Sequence, residues 1–392
     1  MPELTQESTR LGRYIETIAG GETVRAFVPA PLPPNPPIDL LPLLEKLSAA
    51  ERALGRLDGI TVLLPSHELF LYMYVRKEAV LSSQIEGTQS TLTDLLRFET
   101  DAEAGQPVDD LREVSNYVDA MMFGLDRLQE LPLSLRLIRE MHERLLQSGR
   151  GAATNPGEFR RSQNWVGGTR PGNALYVPPP MSELKGVLDS FEHFMHEEAS
   201  GLPPLIKAGL LHVQFETIHP FLDGNGRVGR LLITLYLCVH KVLHRPLLYL
   251  SLYLKTHRTE YYRLLQEVRE RGSWEVWLAF FLEGVAETAN QAFDAATRIV
   301  DLFKRDRERI AAQGERVGSA LRVHDNLQQN PLVTGIRLVQ QTGLSAPTVN
   351  LAIADLEALG IVAEITGRKR GRVFSYSAYL GILSEGTNPL PR

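Results

Sequence analysis

The sequence lacks most features that mark secreted, membrane or strongly nucleic-acid-binding proteins. Its 392 residues include a single cysteine, Cys238, so a disulfide within one chain is excluded. The apolar run from Leu231 to Val239 is ended by His240 and Lys241, which leaves it too short to span a bilayer. The N-terminal residues contain no apolar signal-peptide segment, and the formal net charge is −5. These absences favour a cytoplasmic protein without membrane association.

The composition is that of an ordinary soluble protein. Hydrophobic residues make up 43% of the chain and charged residues 23%, and the length leaves room for two or three domains. From about residue 40 to residue 313 the apolar spacing is mostly helical, so we predict a mainly α fold. A proline-rich strap at residues 29–37 precedes these helices. The highly charged stretch 301–316 indicates a solvated helix end or a linker.

One loop concentrates the chemically useful residues. Residues 219–230 read HPFLDGNGRVGR and lie between two apolar segments of helical spacing. Gly224 and Gly226 allow backbone conformations closed to other residues, and N–H groups at the start of the second helix can hold anionic oxygens. Arg227 and Arg230 are three residues apart, so they share a helix face and can both bind phosphate oxygens. The loop therefore suits a polyphosphate.

A carboxylate and a base complete the set. Asp223 offers the oxygen ligand that a nucleotide-bound Mg²⁺ needs, and His219 can remove a hydroxyl proton. Each residue alone has an ordinary explanation, because a histidine at a helix end is more often a cap and an arginine pair more often a solvated face. It is their joint occurrence in twelve residues that indicates a catalytic site.

The loop resembles the signature of the Fic family, His-Pro-Phe-x-Asp/Glu-Gly-Asn-Gly-Arg-x-x-Arg, with all nine fixed positions present. The resemblance implies a Fic-type helical core and an adenylyltransferase that moves AMP from ATP to a Ser, Thr or Tyr hydroxyl of a protein. By position it implies His219 as general base and Asp223 as the Mg²⁺ ligand. Doc-type kinases depart from this motif at the glycines and arginines, which favours adenylylation. The implied phosphate-binding residues are Gly224, Asn225, Gly226, Arg227 and Arg230.

A second resemblance lies upstream. Residues 82–87, SSQIEG, match the family's inhibitory pattern [S/T]-x-x-x-E-[G/N], at the end of a predicted helix over residues 69–85. Ser82 and Glu86 are four residues apart and share one face. The resemblance implies that Glu86 pairs with Arg230 and blocks the γ-phosphate site, so that the protein is autoinhibited. In some relatives this glutamate is thought to assist removal of AMP, which leaves the direction of catalysis open.

Two other regions carry weaker resemblances. Residues 157–180 contain two β-prone runs around a turn and resemble the β-hairpin flap that aligns a target segment, with Tyr176 as a candidate contact. An ordinary surface hairpin explains the same pattern equally well. Residues 249–262 resemble the region that encloses the adenosine, although His257 stands where many relatives have Asn. His257 and Gln214 are candidate nucleotide contacts, with a core or supporting role as the stronger alternative.

The C-terminal region resembles a winged helix-turn-helix domain over residues 336–376, with 366–372 as a basic wing. The predicted recognition helix, 345–359, contains no Arg or Lys. Protein interaction or dimerisation is therefore favoured over DNA binding.

We predict three parts and one main function. The parts are an N-terminal region with strap and inhibitory helix (1–105), a Fic catalytic core with trailing helices (106–315) and the winged helix-turn-helix-like domain (316–392). ATP is the expected substrate, with Mg²⁺. The expected partner is a target protein or the chain itself, and a homo-oligomer is a further expectation. The alternatives are a nucleotide-sensing DNA-binding regulator and an enzyme that removes AMP.

Overall fold

A computed structural model of the chain describes residues 10–60, 67–100, 108–314 and 317–391. Both predicted domain boundaries, at 105/106 and 315/316, lie outside the described residues. Helices dominate the structure, which confirms the mainly α prediction. Within the described ranges, no helix combines the length and the apolar content needed to cross a membrane.

The described chain begins with a two-stranded antiparallel hairpin, followed by five helices. The strands are β1 (Arg13–Ala19) and β2 (Glu22–Val28), and the helices are α1 (Leu44–Ile60), α2 (His67–Ile85), α3 (Leu92–Glu99), α4 (Val108–Arg127) and α5 (Leu135–Leu145). The predicted helix over residues 69–85 is thus α2. Gly87, with φ +105°, follows its last turn.

Six further helices complete the central bundle. They are α6 (Met181–His196), α7 (Pro204–Ile218), α8 (Asn225–Val239), α9 (Ser251–Thr256), α10 (Arg258–Arg271) and α11 (Trp274–Ala311). Every residue of α7 from Leu205 to Ile218 is buried, and α7 packs against α8, so this pair lies in the middle of the core. The loop 219–224 that joins α7 to α8 is therefore carried on two fixed helices.

The charged stretch 301–316 belongs largely to a helix. Helix α11 runs unbroken for 38 residues to Ala311 and packs along α1. Most of its charged side chains face solvent, while Leu302, Phe303, Asp306 and Ile310 are buried at helical spacing. Of the two predicted alternatives, the helix end is therefore confirmed as far as residue 311, and a linker there is wrong.

The C-terminal part contains four helices and a three-stranded antiparallel sheet of order β3-β5-β4. Helices α13 and α14 lie at the predicted positions, and Ser345 caps α14 by accepting a hydrogen bond from the Thr348 N–H. The assignment as a winged helix remains a prediction. The elements are α12 (Val317–Gln329), β3 (Leu332–Thr334), α13 (Gly335–Thr342), α14 (Ala346–Ala358), β4 (Ala363–Glu364), β5 (Val373–Ser375) and α15 (Ser377–Ser384).

The flap region pairs its two predicted runs, but over a shorter length than a regular hairpin. Within residues 157–180 the strand pairing described is a single antiparallel bridge between Val166 and Tyr176. Gly167 and Gly168 adopt positive φ angles after the bridge, and the prolines at 178–180 have no N–H to extend a ladder. A longer two-stranded hairpin is formed by β1 and β2, and the Phe27 N–H of β2 donates to the Val177 carbonyl at 2.9 Å.

Candidate functional site

The loop 219–224 turns sharply at both ends. His219 follows the last residue of α7 with φ +48°, and Gly224 precedes α8 with φ +79°. A left-handed conformation is uncommon for a residue other than glycine, and such strain is frequent at functional sites. Helix α8 starts at Asn225, so its first N–H groups face the turn, where they can receive an anion.

The side chain of Asn225 closes this loop. Its Oδ1 accepts from the Phe221 N–H at 2.9 Å and its Nδ2 donates to the Phe221 carbonyl at 2.9 Å. Asn225 is 2% exposed, so both hydrogen bonds are protected from water. The predicted contact of Asn225 with the α-phosphate would therefore have to come from its backbone N–H.

Two residues that the sequence patterns did not reveal support the loop. Arg160 is buried, and its Nε and backbone N–H donate to the carbonyls of His219 and Pro220, at 3.1 and 2.9 Å. The ring of His142, on α5, stacks on Phe221 at 3.7 Å between centroids. A lone arginine or histidine carries no pattern, so only the fold identifies these supports.

The hydrogen bonds of His142 fix its tautomer. Its Nδ1 accepts from the Gly157 N–H at 2.9 Å, so the ring proton lies on Nε2, which donates to the Asp223 carbonyl at 3.0 Å. Burial lowers the pKa of His142 to about 4, in spite of the hydrogen bond to Asp223. A neutral imidazole thus joins the 149–157 loop to the predicted metal-binding residue.

His219 has one ring nitrogen engaged. Its Nδ1 donates to the Glu216 carbonyl at 3.3 Å, which leaves Nε2 as the basic nitrogen of a neutral ring. Burial, together with the neighbouring Arg160 and Arg269, lowers the pKa of His219 to about 4. The imidazole is therefore neutral at physiological pH, the state that a general base requires.

Arg227 places an almost completely buried guanidinium below the loop. The residue is 1% exposed, and Nη1 lies 2.9 Å from Oε1 of Glu113. That approach is not in hydrogen-bond geometry, so among the described residues all three guanidinium nitrogens lack a hydrogen-bond acceptor. Burial raises the pKa of Glu113 although Arg227 opposes this shift. The carboxylates of Glu113 and Asp223 thus lie within ion-pair distance of Arg227 without accepting a hydrogen bond from it, and an anionic ligand would supply such acceptors.

Arg230 is held by the end of α2. Its Nε donates to the Ser82 hydroxyl at 2.7 Å, and its Nη2 donates to Oε1 of Glu86 at 2.6 Å. Burial alone would raise the pKa of Glu86, but the neighbouring Arg230 outweighs it and the pKa is lowered. The structure thus brings Ser82 and Glu86 of the upstream motif into contact with Arg230 of the loop motif.

The Glu86 carboxylate also lies over the first turn of α8. A Cβ atom built on Gly226 would come within 2.3 Å of Oε1 of Glu86 and 3.0 Å of Nη1 of Arg230. A side chain at position 226 would collide with this carboxylate, so glycine is required for the close approach. A negatively charged group of the protein therefore occupies space beside the helix N-terminus and the second arginine.

The residues around Asp223 fit a magnesium ion that is held mostly by a nucleotide. Asp223 is partly exposed, and its Oδ1 accepts from the Gly224 N–H at 2.6 Å. The described residues contain no group of three His, Cys, Asp or Glu side chains that could hold a metal alone. Magnesium sites in nucleotide enzymes typically use one or two carboxylates, with phosphate and water oxygens as the other ligands. A single aspartate beside an anion site is consistent with that arrangement.

The three weaker candidates have structural partners. Gln214 donates from Nε2 to the Ala30 carbonyl at 2.9 Å, and His257 bonds from Nδ1 to the Tyr253 carbonyl at 3.1 Å. The hydroxyl of the buried Tyr176 donates to the Thr217 carbonyl in α7. These contacts favour supporting roles, and nucleotide or target contacts from these residues remain predictions.

Comparison with known proteins gives matches to two family models. The model described as Fic/DOC family N-terminal matches residues 44–126, and the model described as Fic/DOC family matches residues 132–237. The first range contains Ser82 and Glu86, and the second contains the loop 219–224 and both arginines.

Relatives and solved structures agree with these matches. The Protein adenylyltransferase Fic of Drosophila grimshawi is 34% identical over 190 residues, which cover 47% of this chain and 36% of that protein. The chain thus spans about a third of the length of the curated relatives it matches. The crystal structure of a Fic family protein from Desulfovibrio desulfuricans G20 has a TM-score of 0.58 at 18% identity, over 87% of this chain and 97% of that one. At that identity the likeness is one of fold.

Proposed function

The chain is a member of the Fic/DOC family, and we propose that it transfers AMP from ATP to a Ser, Thr or Tyr hydroxyl of a protein. The observation that carries the proposal is the site itself: a neutral His219 lies on the loop that leads into the glycine-containing start of α8, above the buried guanidinium of Arg227. Relatives named protein adenylyltransferase, at about a third identity, support the same reaction.

In the proposed reaction the residues position and neutralise rather than form covalent intermediates. His219 takes the proton of the target hydroxyl at Nε2 while the hydroxyl oxygen bonds to the α-phosphorus. The bond from the α-phosphorus to the bridging oxygen breaks, and diphosphate leaves. The α8 N–H groups, Arg227 and Arg230 stabilise the phosphate charge. Mg²⁺, held by Asp223, supplies further charge neutralisation when bound.

We infer that Glu86 inhibits this reaction. Its carboxylate bonds to Arg230 and lies over Gly226, so it competes with phosphate oxygens for the same donors. The negative charges of the Glu86 carboxylate and of a phosphate bound to Arg230 would repel each other. An ATP molecule would therefore have to displace the carboxylate or bind with its γ-phosphate elsewhere.

The test is transfer of label from [α-³²P]ATP to protein, in Mg²⁺ and with cell lysate as a source of targets. We expect little label with the wild type, strong label with Glu86→Gly, and none when His219→Ala is added. Glu99→Gly is a matched control, because Glu99 also ends a helix and pairs with an arginine, Arg76, away from the loop. Labelling by Glu86→Gly that survives His219→Ala would contradict the base assignment.

The same assay addresses the reverse reaction. Protein labelled by Glu86→Gly serves as substrate for the wild type, in which the partly exposed Glu86 carboxylate could act on water. Release of AMP by the wild type and its loss on Glu86→Gly would support AMP removal as a function of the wild-type chain.

A further inference from the structure

The segment that follows α15 is bound to the end of α2. Gln84 lies between Ser82 and Glu86 in sequence and is buried at 2% exposure. Its Nε2 donates to the Thr387 carbonyl at 2.7 Å and to the Ser90 carbonyl at 2.8 Å. The residue in the middle of the inhibitory motif is thus bonded to a segment about 300 positions away in the sequence.

Lys255 completes this contact from α9. Its Nζ donates to Oε1 of Gln84 at 2.8 Å and to the carbonyls of Gly386 and Asn388, each at 2.7 Å. An ammonium group has three protons, so all of them are used. Burial lowers the pKa of Lys255 to about 8, and the group stays mostly protonated at neutral pH. Both polar atoms of the Gln84 amide are therefore committed to the same cluster.

Packing fixes the segment further. Gly386 adopts φ +79°, and a Cβ atom there would come within 2.7 Å of Cδ1 of Leu252 on α9. Thr387 is 1% exposed. Glu385 forms two hydrogen bonds with Arg298 of α11, at 2.6 and 2.9 Å. We call residues 385–388 the tail clasp.

The tail clasp connects the C-terminal part to the candidate site. Helix α15 ends at Ser384, one residue before the clasp, and α15 packs against α2, α3 and α11. At the other end, Gln84 lies in the last turn of α2, where the Gly87 N–H donates to the Gln84 carbonyl at 3.1 Å. A shift of the clasp would therefore act on the turn that presents Ser82 and Glu86 to Arg230.

We propose that the tail clasp holds Glu86 in its inhibitory position, so that movement of the C-terminal part regulates AMP transfer. This inference rests on the proposed function, because it concerns the regulation of that site. Its consequence is that a molecule which binds the C-terminal part and draws α15 away would activate the enzyme, without any contact to the nucleotide.

Two variants of the full chain release the clasp by different means. Gly386→Val places a side chain against Leu252 and disfavours the positive φ angle. Lys255→Met removes the ammonium that binds three acceptors. Gly381→Ala is the matched control, since it lies on α15 and an added Cβ there meets no atom within 4 Å. Each is made in the wild type and in Glu86→Gly, and hydrogen exchange of residues 80–90 reports release of the turn.

If the clasp is inhibitory, both variants raise labelling about 5-fold or more over the wild type, the lower range of coupling between two sites. The two variants do not raise labelling further in the Glu86→Gly background. Gly381→Ala labels as strongly as the protein in which it is made. The proposal is overturned if both variants label only as strongly as the wild type although hydrogen exchange shows that residues 80–90 are released. An equal loss of labelling in the wild-type and Glu86→Gly backgrounds would also overturn the proposal, because it would show that the tail clasp has a purely structural role.

A second readout separates this inference from the proposed function. Affinity for a non-hydrolysable ATP analogue is measured for the same variants. If Glu86→Gly transfers no AMP, the transferase proposal fails. The coupling would then stand only if Gly386→Val and Lys255→Met tighten analogue binding as Glu86→Gly does, and it would fall if they do not.

Discussion

The protonation of His219 is set by burial and by two guanidiniums. Burial lowers its pKa to about 4, Arg160 and Arg269 act in the same direction, and the Glu86 carboxylate opposes them. In the proposed reaction the neutral ring is the base, so activity that depends on it is present above this pKa and is lost as the pH falls through it. Replacing Glu86 removes a negative charge that raises the pKa of His219. The midpoint of the acid limb of the pH–rate profile should therefore not move upward.

We therefore expect the protonation of His219 to change kcat/KM for AMP transfer by Glu86→Gly less than about 2-fold between pH 6 and 8. Below about pH 5, kcat/KM should fall steeply because the ring becomes protonated. The measurement is a pH–rate profile at saturating Mg²⁺, with stability checked at each pH. A profile whose acid limb has its midpoint near 6.5, the ordinary value for histidine, would show that the site leaves the base unperturbed.

At the scale of elements, α5 supports the loop 219–224 through His142. This side chain spans from the Gly157 N–H to the Asp223 carbonyl and stacks on Phe221. His142→Phe keeps an aromatic ring for the stacking but removes both hydrogen bonds. We expect it to raise the Mg²⁺ concentration needed for half-maximal transfer, or to lower kcat, by roughly 10- to 100-fold, the usual effect of losing a partner that orients a metal ligand.

His324→Phe is the matched control for this experiment. His324 is also buried, with its pKa lowered to about 4 by burial, but it bonds to Tyr376 in the C-terminal part. Both substitutions are made in the Glu86→Gly background so that activity is measurable. If His142→Phe and His324→Phe reduced transfer equally, with unchanged Mg²⁺ dependence, the effect of His142 would be on stability and not on Asp223.

The sequence identified those parts of the site that are contiguous in the chain. The motif loop needs only local information, because Gly224, Asn225 and the start of α8 define the turn within six residues. The pairing of Glu86 with Arg230 spans 144 positions, and it was accessible through the family resemblance alone. His142 and Arg160 were missed, since their partners are backbone carbonyls that no residue pattern marks.

The flap prediction was right about which runs pair but not about the extent of the pairing. Strand propensity over residues 157–180 suggested that the two runs pair with each other, and they do so through a single bridge between Val166 and Tyr176. Val177 pairs instead with Phe27 of β2, and this long-range choice is made by packing rather than propensity. The charged end of α11 was predicted only as a solvated helix end or a linker, and the buried residues Leu302, Phe303 and Ile310 beneath the charges are seen only in the structure.

At the scale of the whole molecule, the charge distribution bears on DNA binding. The net charge is −5, and the cations at 368–372 are exposed beside β5. The exposed face of α14 carries Ala346, Asn350 and Leu351 and no Arg or Lys. Four exposed cations can contact phosphates, but base readout in the major groove usually needs Arg, Lys, Asn or Gln at several positions of the inserted helix.

We accordingly expect any binding of duplex DNA to lack sequence preference, to have a Kd no tighter than about 1 µM at physiological salt, and to weaken as salt rises. Fluorescence anisotropy with random-sequence duplexes, at 50 and 200 mM salt, measures this. Replacing Arg368, Lys369, Arg370 and Arg372 by Gln should abolish binding, because these side chains supply the phosphate contacts. Tight binding to one sequence that persists at 200 mM salt would favour the nucleotide-sensing regulator, and the tail clasp would then connect a DNA signal to Glu86.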